Sequence, residues 1–298
     1  MKSQVLSVIE PRPFLKWAGG KGQLIPQYLP FFPKNFSTYY EPFLGGGAIF
    51  FHLQPQRSLL IDINPELVNV YECVRNNVEG LIQQLTIHRD RHCQEYYYQV
   101  RSCIPTCSLE RAARLIYLNK TCFNGLYREN SKGMFNVPMG RYKNPGIFDP
   151  ELLKAASRSL QTADIQMNQF ETVLDYATSN DDFVYFDPPY YPISATSNFT
   201  AYSRYLFKQE DHIRLRNTFA ELTQRGVQVM LSNSDCPFVR ELYQNFYIHK
   251  IIAARAINSN AKRRGKITEL LITSYQVNDA RIERIVDSNL PALNEDTK

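Results

Sequence analysis

Phe183-Val184-Tyr185-Phe186-Asp187-Pro188-Pro189-Tyr190 is the stretch on which the fold turns. Four apolar residues in a row read as a buried strand, and Asp-Pro-Pro ends it abruptly. Proline has no N–H for a sheet ladder, and each proline pushes its predecessor out of the helical region. The carboxylate of Asp187, the carbonyl of Pro188 and the ring of Tyr190 are therefore expected at the carboxyl edge of a sheet. Open α/β sheets bind their ligands at that edge. Two acceptors beside an aromatic face suit an amino group on a flat heterocycle: the acceptors grip the NH2 in its plane while the rings stack. A plain strand cap, with Asp187 closing a turn, fits the same four residues, so the neighbouring sequence has to decide.

Upstream, Thr38 to Phe43 reads as a short strand running into Leu44-Gly45-Gly46-Gly47-Ala48-Ile49-Phe50. Strand, glycine turn and helix open a nucleotide-type site, where bare backbone faces the ligand. The dinucleotide pattern G-x-G-x-x-G is absent, because Phe50 stands where its last glycine belongs. Ser58 to Asn64 is the next strand, and Asp62 near its end is placed for ribose hydroxyls. An acid there can equally cap the helix opened by Pro65-Glu66. Before both strands, Lys16-Trp17-Ala18-Gly19-Gly20-Lys21 ties the chain's only Trp to a glycine loop flanked by lysines, which suits an anionic ligand.

From Pro65 to about Gln161 the strand-helix alternation stops. Helical patterns cover roughly 66–77, 79–88, 94–102 and 108–120. An irregular stretch follows, with Asn124-Gly125 and Lys132-Gly133 turns that predict a ribbon carrying Asn, Arg and aromatic side chains outward. Asn and Arg read adenine and guanine edges bidentately. The alternation resumes with a strand near 165–170, the strand ending at Asp187, a helix near 208–225 and a strand at 227–231. A terminal hairpin is expected at about 247–257 and 266–275, around the basic turn 258–265.

The 298 residues carry a net charge of +5, unevenly spread. Arg111, Arg114, Lys120, Arg128, Lys132, Arg141 and Lys143 face only Glu129 over one stretch, and Lys262-Arg263-Arg264 with Lys266 form a second cluster. Basic residues interleaved with aromatics and amides point to a polyanion. No run is long enough to span a bilayer and the amino terminus shows no basic-then-apolar signal, so a cytoplasmic protein is expected. Cys73, Cys93, Cys103, Cys107 and Cys122 fall in one segment, with spacing too loose for a regular zinc site; small apolar fillers are the expected role.

Taken in order, Phe14-Leu15-Lys16-Trp17-Ala18-Gly19-Gly20-Lys21, Glu41-Pro42-Phe43-x-Gly45-x-Gly47 and Asp187-Pro188-Pro189-Tyr190 resemble the bacterial DNA adenine methyltransferase (Dam) family, alpha class. The likeness continues through Phe135-Asn136-Val137-Pro138, Gly140-Arg141-Tyr142, Ser194-Ala195-Thr196, Asn198 to Tyr202 and Ser259-Asn260, and covers about residues 14–275. It implies an S-adenosylmethionine-dependent methyltransferase fold, Rossmann-like with a seven-stranded mixed sheet. The catalytic domain would comprise 11–64 and 163–275, with an inserted, mostly helical DNA-recognition domain at 65–162 and tails at 1–10 and 276–298.

The implied activity is methyl transfer from S-adenosylmethionine to N6 of adenine in double-stranded DNA, in GATC, with base flipping and no metal. By matching positions, Asp187, Pro188 and Tyr190 would hold the adenine. Trp17, Lys21, Phe43, Gly45, Gly47, Asp62 and Asp187 would hold the cofactor. Lys16, Phe123, Asn124, Leu126, Arg128 and Pro138 would contact target bases, with Asn130 and Arg141 on neighbouring DNA. A monomer is expected. Two competing readings share these motifs: a methyltransferase of RNA or protein amides, and a sequence-specific DNA-binding protein that has lost turnover.

Overall fold

The computed structural model describes residues 9–130, 132–193, 207–254 and 266–277. Among these, seven strands form one sheet: β1 Thr38–Glu41, β2 Ser58–Asp62, β3 Ala163–Met167, β4 Asp182–Phe186, β5 Gln228–Ser234, β6 Tyr247–Ala254 and β7 Lys266–Thr273. Their order is β3-β2-β1-β4-β5-β7-β6. The first five run parallel, and β7 lies antiparallel between β5 and β6. All five residues of β4 are buried, as a central parallel strand requires.

The order reverses between β1 and β4. From β1 the chain winds outward through β2 to β3, and β4 then returns to the other side of β1. That topological switch point opens a crevice at the carboxyl ends of the two strands. Glu41 ends β1 there and Asp187 follows β4 there, so the glycine turn and Asp-Pro-Pro-Tyr meet because of the winding.

The expected helices are present as α3 Pro65–Asn76, α4 Val78–Asp90, α5 Gln94–Ser102 and α6 Ser108–Thr121, after a short α1 Ile25–Tyr28 and α2 Ala48–Leu53. A further helix, α7 Pro150–Leu160, lies beyond the four expected helical stretches, in a segment to which the pattern assigns no element. Asp149 caps it by accepting from Glu151 N and Leu152 N, and Pro150 fills its first turn. Beyond β4 come α8 Gln209–Gln224 and α9 Pro237–Leu242. The strand expected at 165–170 starts earlier, because Ser58 to Asp62 pairs with Ala163 to Met167, and a 3-10 turn takes Phe170–Asp175.

The helices of 65–162 are not all apart from the sheet. Leu67, Val70 and Val74 of α3, Ile116 of α6 and Leu153 of α7 share one apolar core with Leu60, Phe183 and Tyr185. A smaller cluster of Tyr97, Tyr117, Leu118, Cys122, Phe135, Val137 and Ile147 lies wholly within 97–147 and forms the floor of the ribbon. The cysteines divide by burial, against the expectation of uniform fillers. Cys122 is buried in that floor, whereas Cys93, Cys103 and Cys107 are exposed, and Cys93 Sγ caps α5 by accepting from Tyr96 N. The matched segments 194–196, 198–202 and 259–260, and the basic turn 258–265, lie outside the described residues.

Candidate active site and nucleic-acid interface

Asp187 is held by two donors on one of its oxygens. Lys21 Nζ lies 2.7 Å from Oδ1, and Ser232 Oγ donates to the same atom at 2.9 Å. Oδ2 has no hydrogen-bond partner among the described residues. Ser232 Oγ is itself 2.9 Å from the hydroxyl of Tyr185, fully buried on β4. Lys21 is almost wholly buried, donates to the carbonyl of Gly19 at 2.7 Å, and places Nζ 4.8 Å from the centre of the Tyr190 ring. A buried ammonium needs such compensation, and here a carboxylate, a carbonyl and a ring face supply it.

The end of β5 grips the residues after the prolines, a role that sequence reading did not give it. Asn233 Oδ1 accepts from Tyr191 N at 3.1 Å, and Ser234 Oγ donates to Tyr191 O at 2.7 Å. From β7, Glu269 accepts the Tyr190 hydroxyl at 2.7 Å. Burial raises the Glu269 carboxyl above its ordinary range, opposed by the nearby Lys21 charge and the Tyr190 hydrogen bond. Ser232-Asn233-Ser234 at a strand end was the only sequence signal for the two β5 groups. Glu269 carried none, because its partner is 79 residues away in the chain.

Across the switch point, the glycine turn is closed by Asp62. Its Oδ2 accepts from Gly45 N at 3.1 Å and its Oδ1 from Asn64 N at 2.9 Å. The cap of α3 falls instead to Asn64, whose side chain accepts from Glu66 N and Leu67 N, so Asp62 is not spent as a helix cap. Gly45 and Gly47 have φ of 48° and 64°, a region that favours glycine. A side chain at Gly45 would meet Trp17 Cδ1 at 3.0 Å, and one at Gly47 would meet Tyr71 Oη at 2.9 Å. Phe43 stacks on Phe170, centroids 5.4 Å apart, with Phe186 and Phe207 at its edges.

The residues expected on DNA gather on the ribbon. Antiparallel bridges Cys122–Met139 and Glu129–Phe135 pair its two arms. Asn119, buried on α6, knits the ribbon to the Trp17 loop: it accepts from Lys16 N at 2.8 Å and donates to Lys16 O at 2.7 Å and Gly125 O at 3.1 Å. The Lys16 stem packs against Gly125, where any side chain would clash, and its ammonium lies 4.8 Å from the Tyr142 ring centre. Phe123 is 49% exposed, large for an aromatic ring with no solvent role. Asn124 has φ of 55°, so its exposed side chain sits on a left-handed turn.

Further along the ribbon, Leu126 is half-buried against the floor and Pro138 is exposed. Arg128 is exposed and its Nε donates to Asn136 Oδ1 at 2.7 Å. Asn130 Oδ1 closes the turn by accepting from Lys132 N and Met134 N, both at 3.0 Å, which leaves only its amide nitrogen for a ligand. Arg141 is exposed beside Tyr142. Among the described residues no helix is long and apolar enough to cross a membrane, and no group of three His, Cys, Asp or Glu is placed to hold a metal ion.

This sheet, with a glycine turn, an acid on the next strand and a donor-anchored Asp-Pro-Pro-Tyr at the switch point, is that of an S-adenosylmethionine-dependent methyltransferase. The chain belongs to the D12 class N6 adenine-specific DNA methyltransferases, whose family model matches residues 17–257. It is 48% identical over 275 residues to the type II methyltransferase M1.LlaDCHI of Lactococcus lactis subsp. cremoris, covering 90% of this chain and 96% of that protein. The type II methyltransferase M.MjaIII of Methanocaldococcus jannaschii is 44% identical over 290 residues, 90% of this chain and 100% of that one. The DNA adenine methylase of Escherichia coli K12 is 37% identical over 270 residues, 87% and 94% of the two chains.

The crevice fits the methyl donor on its own chemistry. Asp62 is a carboxylate at a strand end with lone pairs left beyond its two amide bonds, which suits ribose hydroxyls. The backbone at Gly45 and Gly47 is bare, and Lys21 offers an ammonium to a carboxylate.

Proposed function

We propose that this protein methylates N6 of adenine within GATC in double-stranded DNA, rotating the adenine out of the helix into the crevice. The observation that carries this reading is the state of Asp187: Lys21 and Ser232 both anchor Oδ1, and Oδ2, with no hydrogen bond among the described residues, is left as an acceptor. The GATC sequence itself comes from the resemblance to the Dam family.

N6 inside a duplex is out of reach of any such acceptor, so the base has to leave the stack, at a cost of a few kcal/mol. Tyr190 then offers its ring to the adenine face. Asp187 Oδ2 and the Pro188 carbonyl accept the two N6 hydrogens. That draws the nitrogen lone pair out of conjugation and stabilises the positive charge developing on the nitrogen. S-adenosylmethionine supplies the electrophilic methyl group. Trp17, Lys21, Phe43, Gly45, Gly47, Asp62 and Asp187 would hold it, and positioning the nitrogen against the donor would supply much of the remaining acceleration.

Lys16, Phe123, Asn124, Leu126, Arg128 and Pro138 read the target, and Asn130 and Arg141 hold flanking DNA. The recognition domain is 65–162, its reading edge the ribbon 122–142, and the enzyme works in the cytoplasm as a monomer. Mapping methylation by purified protein on a DNA library tests the whole. N6-methyladenine confined to GATC is expected. Methylation in another context overturns the specificity, and incorporation into RNA or protein but not DNA overturns the substrate.

A further inference from the structure

Glu269 lies beyond Ile257, where the match to the family model ends, yet it is in direct contact with the catalytic tetrapeptide. It is carried by β7, the strand inserted antiparallel between β5 and β6, at the position paired with Ser234. Its Oε2 accepts the Tyr190 hydroxyl at 2.7 Å, a length typical of a hydroxyl donating to a carboxylate. Lys21 stands over the same ring at 4.8 Å. Cation, ring and anion are thus arranged about Tyr190, with Lys21 also reaching Asp187.

Two prolines restrict the backbone that leads to the tyrosine but leave its side-chain torsions free. Nothing in Asp-Pro-Pro-Tyr itself sets the plane of the ring. A hydroxyl tethered to a neighbouring strand does so. It also enriches the ring in electrons, since the donor O–H is polarised toward an anion. A ring of that kind stacks better on an adenine that is becoming positive at N6.

We propose that Glu269 is a positioning residue for methyl transfer, fixing the plane of Tyr190 through its hydroxyl so that the ring receives the adenine face. This rests on the reading of Tyr190 given above. It also explains why a strand far along the chain takes part in the crevice: β7 brings an acceptor that the parallel strands do not supply.

The test is a double-variant cycle on the full chain, read by single-turnover methylation of a GATC duplex. A parallel duplex carries 2-aminopurine in place of the target adenine, and its fluorescence reports base rotation. Glu269→Ala is expected to slow the methyl-transfer step about 10- to 100-fold. In the Tyr190→Phe background, which already lacks the hydroxyl, the same change should cost no more than about twofold. Glu269→Gln keeps an acceptor oxygen and should stay within about fivefold of wild type.

Equal slowing by Glu269→Ala in both backgrounds, or no slowing in either, would overturn the inference. Should Glu269→Ala fail to fold, Glu269→Gln decides alone: a loss as large as that of Tyr190→Phe rejects positioning through the hydrogen bond. The fluorescence separates this from the underlying reading. If wild type gives no rise with 2-aminopurine, base rotation fails, while the kinetic cycle still judges Glu269.

Discussion

The indole of Trp17 stacks on the ring of Tyr127, centroids 5.2 Å apart and planes 29° from parallel. Trp17 also leans on Gly45, and Tyr127 is the neighbour of Arg128 on the ribbon. One aromatic pair thus joins the glycine turn, proposed to hold the cofactor, to the ribbon proposed to read DNA. We predict that binding at the two is coupled through it. An aromatic pair contributes about 0.5–1.5 kcal/mol, so Tyr127→Ala should cut the tightening of S-adenosylmethionine binding by a GATC duplex by roughly 2- to 10-fold. Titrating the cofactor with and without duplex gives the ratio. An unchanged ratio would show that the stack carries no coupling.

Arg128 is steered by Asn136. Its Nε is occupied at 2.7 Å, which leaves the two terminal nitrogens as a fork. A fork on guanine O6 and N7 is worth roughly 1–3 kcal/mol of discrimination. Arg128→Ala should therefore raise activity on singly altered sites relative to GATC by about one to two powers of ten, and Asn136→Ala should do so more weakly. The measurement is kcat/KM on GATC and every single-base variant at two salt concentrations. A uniform loss across the panel would make Arg128 a phosphate contact.

The decisive elements of this fold were legible because they are local. Val184 to Phe186 is continuously apolar, and Asp187-Pro188-Pro189 stops it whatever lies elsewhere. Gly45 and Gly47 announce positive φ, and both have it. The partners of Asp187 and Tyr190 were not legible, since Ser232 and Glu269 arrive through the pairing of β4, β5 and β7, which no periodicity encodes. Helix α7 was missed for a different reason. Its start signal, Asp149-Pro150, is local, but no helical stretch is assigned between 120 and 208.

Glu41 gives a pH signature. Burial, reinforced by the Asp187 charge, pushes its carboxyl up from 4.5 to about 8, against bonds from Tyr39 Oη and Phe50 N. The folded value exceeds the unfolded one, so folding takes up a proton between them. The resulting stability is fully present below the unfolded value and is lost as pH rises through about 8. Glu41→Gln retains an oxygen for both donors and cannot ionise. Its Tm should fall less than that of wild type between about pH 5 and pH 9. Parallel melting curves for the two proteins across that range would reject a protonated Glu41.

The two donors on Asp187 predict an order of damage. Asp187→Ala removes the acceptor at the nitrogen that becomes charged, and such losses cost on the order of 100-fold or more in rate. Duplex affinity should persist, because phosphate contacts generally supply much of the affinity of a protein for DNA. Ser232→Ala leaves the carboxylate and the Lys21 pair in place but frees one side of Oδ1, so Oδ2 is less well aimed. A loss of about 10-fold in the single-turnover rate is expected, with kcat rather than KM carrying it. Tyr185→Phe removes the group behind Ser232 and should fall between Ser232→Ala and wild type, since Ser232 still reaches Asp187. The ranking is the test: if Tyr185→Phe were as damaging as Asp187→Ala, the hydroxyl chain would be acting on folding rather than on the aim of the carboxylate. If Ser232→Ala matched wild type, Lys21 alone would suffice to orient Asp187.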